Sequence, residues 1–272
     1  MNNNIAIIIP ARYASTRFPG KPLAALGGKS MLRRVYETAI KASEHLGRIE
    51  IVVATDDERI AQHCEDHGMS HVMTSPDCAT GTDRAMAAMA QLKEKPDFIV
   101  NLQGDAPFTP WDFVRDVIDD YRANPDIDVI TPVTRLSWEQ LDKLREQKIN
   151  NPFSGTTAVL DAHRNALWFS KNIIPAIRKE EVLRSKSDMS PVYRHIGLYA
   201  YTRQALEAFE SLDEGKYEAL EGLEQLRLLE NGMRIRAVIV DYQGRPAMSG
   251  VDTPDDLARA EAILREYERV AE

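Results

Sequence analysis

Three cations, two hydroxyls and a glycine crowd one stretch near the start of the chain. In "IIIPARYASTRFPGKPL" (Ile7–Leu23), Arg12, Arg17 and Lys21 lie among Ser15, Thr16 and Gly20. A guanidinium grips phosphate oxygens in a planar fork, and an ammonium adds a mobile point charge. Backbone amides freed by a turn add further positive partial charge. Following directly on a buried apolar run, the stretch suits a polyphosphate. The residue types alone also describe a solvated basic turn.

A triphosphate needs a divalent cation, and that cation needs carboxylates. "NLQGDAP" sets Asp105 at the end of an apolar run, between a glycine and an alanine–proline turn. "GVDTPDD" sets Asp252 just ahead of a helical pattern. Both are candidate ligands for Mg²⁺. Asp252 is also a good helix N-cap, and the two roles are compatible.

Two other motifs are set aside. "LAALGGKS" ends like a phosphate-binding P-loop, but Leu23 stands where its first glycine belongs, so a Gly-Gly turn before a helix is the better reading. No G-x-G-x-x-G follows the first apolar run, which removes the main support for dinucleotide oxidoreduction. The six histidines lack zinc-like spacing, and His63 and His67 read as helix-surface residues.

The elements that must carry these groups alternate. "IAIIIP", "IEIVVATD", "SHVMTS" and "DFIVNLQGD" read as strands. "KSMLRRVYETAIKAS", "DERIAQHCEDHG", "GTDRAMAAMAQLKEK" and "PWDFVRDVIDDYRAN" read as helices between and after them. Leu32, Val35, Tyr36, Ala39 and Ile40 fall on one side of the first helix, and Thr82 is the expected cap of the third. Strict alternation over the first 125 residues implies parallel strands joined by right-handed crossovers, with helices on both faces. Ligands of such sheets bind beyond the carboxyl ends of the strands. The opening loop, the loop after Thr55, the "SPDCATGTDR" loop and the "QGDAP" loop all leave strand ends and are expected to converge there.

Beyond Asn150 the pattern is mixed. "TTAVLDAHRNALWFSK" reads as strand–turn–strand, "YRHIGLYAYT" as a strand, "YEALEGLEQLRLLENG" as a helix, "MRIRAVIVDY" as a strand, and "TPDDLARAEAILREYERV" as a final helix capped by Thr253. The expectation is one domain over 1–272, with a smaller mixed lobe over about 150–215.

At 272 residues the chain buries a sizeable core. Its 43% apolar and 28% charged content is ordinary for a globular protein, and a formal charge of −8 disfavours general nucleic-acid binding. Cys64 and Cys78 form no C-x-x-C and no disulfide framework, so reduced thiols are expected. "MNNNIAIII" lacks the features of a signal peptide, and no apolar run reaches membrane-spanning length. A cytoplasmic protein without a membrane partner is expected.

The run "IIIPARYASTRFPGKPL", "VATDDERI", "GTDR", "NLQGD", "RHIGLYAY", "LEQLR" and "GVDTPDDL", in that order along nearly the whole chain, resembles the 3-deoxy-manno-octulosonate (Kdo) cytidylyltransferases. The resemblance implies a Rossmann-like nucleotidyltransferase fold, a homodimer, Mg²⁺, and transfer of CMP from CTP to a sugar acid with release of pyrophosphate. By matching motif, Arg12 and Lys21 would hold the CTP phosphates. Pro10, Ala11, Thr80, Gly81, Thr82 and Arg84 would shape the cytidine pocket. Gln103 and Asp105 would sit at the reacting centre, and Asp105 with Asp252 would carry the metal. Arg17, Lys171, His195, Tyr199, Glu224 and Gln225 would face the sugar acid.

Departures from the family pattern fall mostly on the acceptor side. Ala106 replaces a glutamate, Cys78 and Ala79 a histidine and a glutamine, Thr80 a serine, Thr157 a lysine, Trp168 a tyrosine, and Lys171 an arginine. A lysine does not reproduce an arginine's planar grip on a carboxylate. The acceptor is then Kdo, an amino-substituted or chain-altered relative, or another acid such as a phosphonate. A non-catalytic nucleotide-binding relative is a further reading, opposed by the intact Arg12, Lys21, Asp105 and Asp252 set.

Overall fold

The computed structural model describes residues 4–44, 46–245, 247 and 250–271. The first half alternates as its sequence requires. β1 (Ile5–Pro10) enters a 3₁₀ turn (Lys21–Leu23), followed by the short pair β2 (Ala25–Leu26) and β3 (Lys29–Ser30) and then α1 (Met31–Ser43). β4 (Glu50–Thr55), α2 (Glu58–Asp66), β5 (His71–Met73), α3 (Gly81–Met89), β6 (Phe98–Asn101) and α4 (Trp111–Ala123) follow. Every residue of β1 is buried, as a continuous Ile/Ala run demands two covered faces. Gly27 and Gly28 join β2 to β3 with φ of +55° and +76°, the backbone of a tight hairpin, so "ALGGKS" is a turn and not a phosphate loop.

The second half carries β7 (Val129–Ser137), α5 (Trp138–Asn150), β8 (Thr157–Leu160), β9 (Ala166–Ser170), α6 (Glu180–Arg184), β10 (Met189–His195), β11 (Tyr199–Thr202), α7 (Arg203–Glu210), α8 (Lys216–Glu221), α9 (Gln225–Glu230), β12 (Ile235–Val240) and α10 (Pro254–Ala271). The chain divides into two compact units: Met1–Ile118 with Leu198–Glu207 and Tyr242–Glu272, and Asp119–Gly197 with Ala208–Asp241. Residues 150–197 and 208–215 belong to the second. In the first unit, β5, β4, β1 and β6 run parallel and β11 pairs antiparallel with β6. In the second, β12 is parallel to β7, while β7–β10, β10–β8 and β8–β9 are antiparallel. The fold is α/β, mostly parallel in the first unit and mixed in the second.

Four local expectations change. The cap of α3 is Thr80, not Thr82. Thr80 Oγ1 accepts from the Asp83 N–H at 3.1 Å and the Asp83 carboxylate accepts from the Thr80 N–H at 2.9 Å, a closed capping box that leaves Thr82 inside the helix and buried. Ile40 is 41% exposed, while Leu32, Val35, Tyr36 and Ala39 of α1 are buried. "YRHIGLYAYT" is two strands, broken over 196–198 at Gly197. "YEALEGLEQLRLLENG" is two helices, because Gly222 takes φ +62° and ends α8. Thr253 does cap α10, its hydroxyl accepting from the Asp256 N–H at 3.2 Å. Among the described residues, no helix is long and apolar enough to cross a membrane.

Candidate active site

The first unit opens a cavity of about 310 Å³ at the carboxyl ends of its parallel strands. Its walls come from the loop after β1, the N-terminus of α3, the turn after β6, and Asp252 ahead of α10. Glycine permits the closest approaches. A Cβ on Gly104 would stand 2.7 Å from the Pro10 carbonyl oxygen, so only glycine lets the Gln103–Asp105 turn lie against the end of β1. Gly20 sits at φ +72° and donates its N–H to Tyr13 O at 2.8 Å, closing the opening loop upon itself ahead of Lys21.

Lys21 is the electrostatic centre. Its ammonium donates to Asp105 Oδ2 at 2.5 Å and to Asp252 Oδ1 at 2.9 Å. The Lys21 side chain is only 11% exposed. Burial lowers its pKa, but the Asp105 and Asp252 carboxylates outweigh that and raise it above the usual lysine value. Two aspartates 147 residues apart thus meet on one cation. Asp252 is freed for this by its neighbours: the Asp256 carboxylate accepts from the N–H groups of Asp252 and Thr253, and Thr253 supplies the cap. Arg17 reaches Asp252 from solvent at 3.1 Å. Arg12 is exposed and lines the same cavity, and among the described residues no carboxylate pairs with it.

Pro10, Ala11, Thr80, Gly81, Arg84, Gln103 and Asp105 also line the cavity, as does Asp252. Thr82 does not. Arg84 is 2% exposed, and its fork is engaged at the back: Nη1 donates to Thr74 Oγ1 at 2.6 Å and Nη2 to Asp56 Oδ2 at 3.1 Å. Gln103 Nε2 donates to Asn101 Oδ1 at 3.1 Å. Ser15, Thr16, Cys78 and Ala79 complete the lining, and burial pushes the Cys78 thiol up, away from thiolate character. The supporting residues Asp56 and Asn101 escape sequence reasoning. Asp56 had a signal, since it opens one of the strand-end loops expected at the rim.

The remaining residues expected at the acceptor divide between the units. Tyr199 belongs to the first, on β11 opposite Asn101. Lys171, His195, Glu224 and Gln225 belong to the second. His195 shares a 2.8 Å hydrogen bond with Thr131 Oγ1 and stands edge-on to Phe169. The residue keeps some exposed surface, but its ring is enclosed. Burial, reinforced by the Lys171 ammonium, pushes the imidazole down to about 3. Lys171 is lowered from the usual lysine value by burial, which Glu221 only partly offsets. Glu224 and Gln225 open α9, which is held to α8 by a two-bond Arg227–Glu218 pair at 2.7 Å each. Gln225 is 4% exposed, and its Nε2 has no hydrogen-bond partner.

The donor set fits a divalent cation completed by a ligand. Asp105 and Asp252 already converge on a positive charge, the Lys21 ammonium. Among the described residues no group of three His, Cys, Asp or Glu gathers for a metal. Two carboxylates with phosphate oxygens and waters filling the other positions is the usual arrangement for Mg²⁺.

A parallel sheet with a cationic loop and paired aspartates at its carboxyl rim defines a nucleotide-binding α/β enzyme. The pattern of the cytidylyltransferase family matches residues 6–235. The chain belongs to that family. It is 44% identical over 261 residues to the 3-deoxy-manno-octulosonate cytidylyltransferase of Maricaulis maris, covering 96% of this chain and 97% of that one. It is 41% identical over 263 residues to the 8-amino-3,8-dideoxy-manno-octulosonate cytidylyltransferase of a Shewanella species, covering 96% and 98%. It also resembles the solved structure of CMP:2-keto-3-deoxy-manno-octonic acid synthetase complexed with CTP, with a TM-score of 0.83 at 35% identity over 97% of this chain and 99% of that one.

Proposed function

We propose that this chain transfers CMP from CTP to the 2-hydroxyl of Kdo or a close 3-deoxy-2-ulosonic relative and releases pyrophosphate. The observation that carries the reading is the convergence of Lys21, Asp105 and Asp252 in a cavity that Arg12 also lines. Nucleotidyl transfer asks little covalent chemistry of the protein. It asks for alignment of the hydroxyl with the α-phosphorus and for positive charge on the departing pyrophosphate. The hydroxyl oxygen bonds to the α-phosphorus, the bond from that phosphorus to pyrophosphate breaks, and the hydroxyl proton leaves to Asp105 or to solvent. Arg12 and Lys21 take the pyrophosphate charge. Gln103, with its amide nitrogen held by Asn101, offers its carbonyl oxygen at the reacting centre.

Asp105 and Asp252 are the proposed Mg²⁺ ligands. When bound, the metal would neutralise phosphate charge and lower the pKa of a coordinated oxygen. Pro10, Ala11, Thr80, Gly81 and Arg84 form the proposed nucleoside pocket. Thr82 supports it from within α3. Arg17, Lys171, His195, Tyr199, Glu224 and Gln225 recognise the acid: Lys171 through its carboxylate, and neutral His195 through a hydroxyl. The enzyme works in the cytoplasm as a homodimer. Exposed Leu167, Tyr217 and Leu220 of the second unit support a subunit contact there.

A second acceptor, the 8-amino analogue, is favoured by the near-equal similarity to relatives named for each acid. Pyrophosphate release measured over CTP, UTP, ATP and GTP against Kdo, 8-amino-3,8-dideoxy-Kdo and N-acetylneuraminate tests the reading. Release is expected with CTP and one of the two octulosonates. Release with no acid, or equally with every nucleotide, contradicts it.

A further inference from the structure

Lys148, in the last turn of α5, does something no other lysine of the described chain does. Its ammonium points at four backbone carbonyl oxygens at once: Pro152 at 3.2 Å, Gly155 at 3.1 Å, Lys171 at 2.5 Å, and Ser154. Among the described residues no carboxylate bonds to it. Three of these carbonyls come from the 152–155 loop that leaves α5, and the fourth from the turn that ends β9. A ring of carbonyl oxygens is one way proteins hold a monovalent cation, and this ammonium is partly buried within one. Here the cation is tethered to the chain.

The fourth carbonyl links this ring to the acceptor. The Lys171 peptide is held on both sides: its C=O by Lys148, and its N–H by Glu221 Oε2 at 2.7 Å. The other Glu221 oxygen accepts from Ser170 Oγ at 2.8 Å, and Ser170 Oγ accepts in turn from the Asn172 N–H at 2.9 Å. The turn is therefore braced by one charge from α5 and one from α8, while among the described residues no side chain grips the Lys171 ammonium itself. Lys148 cannot collapse onto Glu221, because its protons are already committed to carbonyls. Like charge on Lys148, Lys171 and Arg194 nearby keeps this corner of the second unit positive.

We infer that Lys148 is a built-in monovalent cation whose carbonyl ring sets the Lys171 backbone, and with it the reach of the Lys171 ammonium to the acceptor's carboxylate. Lys148 is a positioning residue and touches no substrate. The inference rests on the reading of Lys171 as an acceptor-binding residue.

The test uses the full chain with CTP, Mg²⁺ and whichever octulosonate it turns over. Lys148→Ala removes the ammonium and leaves the carbonyl ring facing a hole. It should raise the acceptor KM about tenfold, the cost of a mispositioned charged hydrogen bond, and leave the CTP KM unchanged. Ammonium or potassium chloride should lower that KM again, and lithium chloride at equal ionic strength should not. Lys148→Met fills the hole, keeps the fold, and should show the same defect without rescue by any salt. In a Lys171→Met background, either Lys148 change should add little. An acceptor KM unmoved by both Lys148 variants overturns the inference, as does a rise identical for acceptor and CTP. Failure of Lys148→Ala to respond to potassium and ammonium while it remains folded also overturns it. If Lys171→Met alone leaves the acceptor KM unchanged, it is the reading of Lys171 that falls.

Discussion

Lys21 of the first unit and Lys148 and Lys171 of the second hold their charge in opposite ways. In the first, Lys21 is buried against two carboxylates and its pKa rises. In the second, Lys148 and Lys171 are partly buried with carbonyls or, among the described residues, nothing on their ammonium groups, and their pKa values fall. The more deeply buried Lys21 is kept charged by its carboxylates, whereas Lys171, partly buried and only weakly compensated by Glu221, is disfavoured as a cation. A pre-paired cation can be handed from carboxylates to phosphates with little change in its surroundings. An under-compensated cation gains most when an anion arrives. The difference fits the proposed roles, Lys21 beside a metal-bound triphosphate and Lys171 beside an acceptor carboxylate.

The largest effect expected is at Asp105. Asp105→Asn keeps the shape and removes the charge, so turnover should fall at least about a hundredfold with the thermal midpoint little changed. Chelation of divalent cations should abolish turnover of the wild type, and activity should return with Mg²⁺. Undiminished turnover in either case would remove the carboxylate pair from the chemistry.

Lysine variants sharpen the contrast between the units. Lys21→Met should raise the CTP KM and also lower kcat, because charge on pyrophosphate grows in the transition state. Lys171→Met should raise the acceptor KM roughly ten- to hundredfold and spare the CTP KM. Lys171→Arg should lower the acceptor KM, because a planar fork grips the carboxylate twice where the ammonium is a point charge. Effects of Lys21→Met and Lys171→Met on the same substrate constant would erase the division.

A smaller effect concerns Asp56. Removing it strands the buried Arg84 guanidinium, and Asp56→Ala should destabilise the fold by about 3 kcal/mol in a denaturant titration. Asp56→Asn, which still accepts a hydrogen bond, should cost less.

Acid stability gives the last contrast. Neutral His195 takes up a proton in the unfolded chain near its ordinary 6.5 but in the folded chain only near about 3. Its stabilising contribution is complete above about pH 6.5 and is lost as pH falls toward 3. Glu180, held down to about 2 by hydrogen bonds from Arg145 and Arg184, loses its contribution lower, between 4.5 and 2. His195→Gln should flatten the upper part of the acid-unfolding curve, and Glu180→Gln the lower part. Curves unchanged from wild type would contradict both assignments.

Much of this was written in residue order. The Ile5–Pro10 run, the helices between strands and the carboxylates at strand and helix ends follow from periodicity and punctuation, and they lead to the cavity of the first unit. What stayed hidden depended on tertiary pairing. β7 carries Pro132, which cannot donate to a ladder, so Val129–Ser137 does not advertise itself as a central strand. Gly197 and Gly222 break continuous patterns at points that only the backbone reveals. Asp56 behind Arg84 and the carbonyls around Lys148 are contacts between segments far apart in sequence or at loop turns, where residue type carries no signal.

The most direct test of the central claim is phosphorus NMR of the reaction of CTP, Mg²⁺ and Kdo, or its 8-amino analogue, with the intact protein. The account expects loss of the three CTP signals in step with growth of pyrophosphate and of one phosphodiester joining CMP to the acid. Pyrophosphate with CMP alone, or no phosphodiester with either octulosonate, would contradict it.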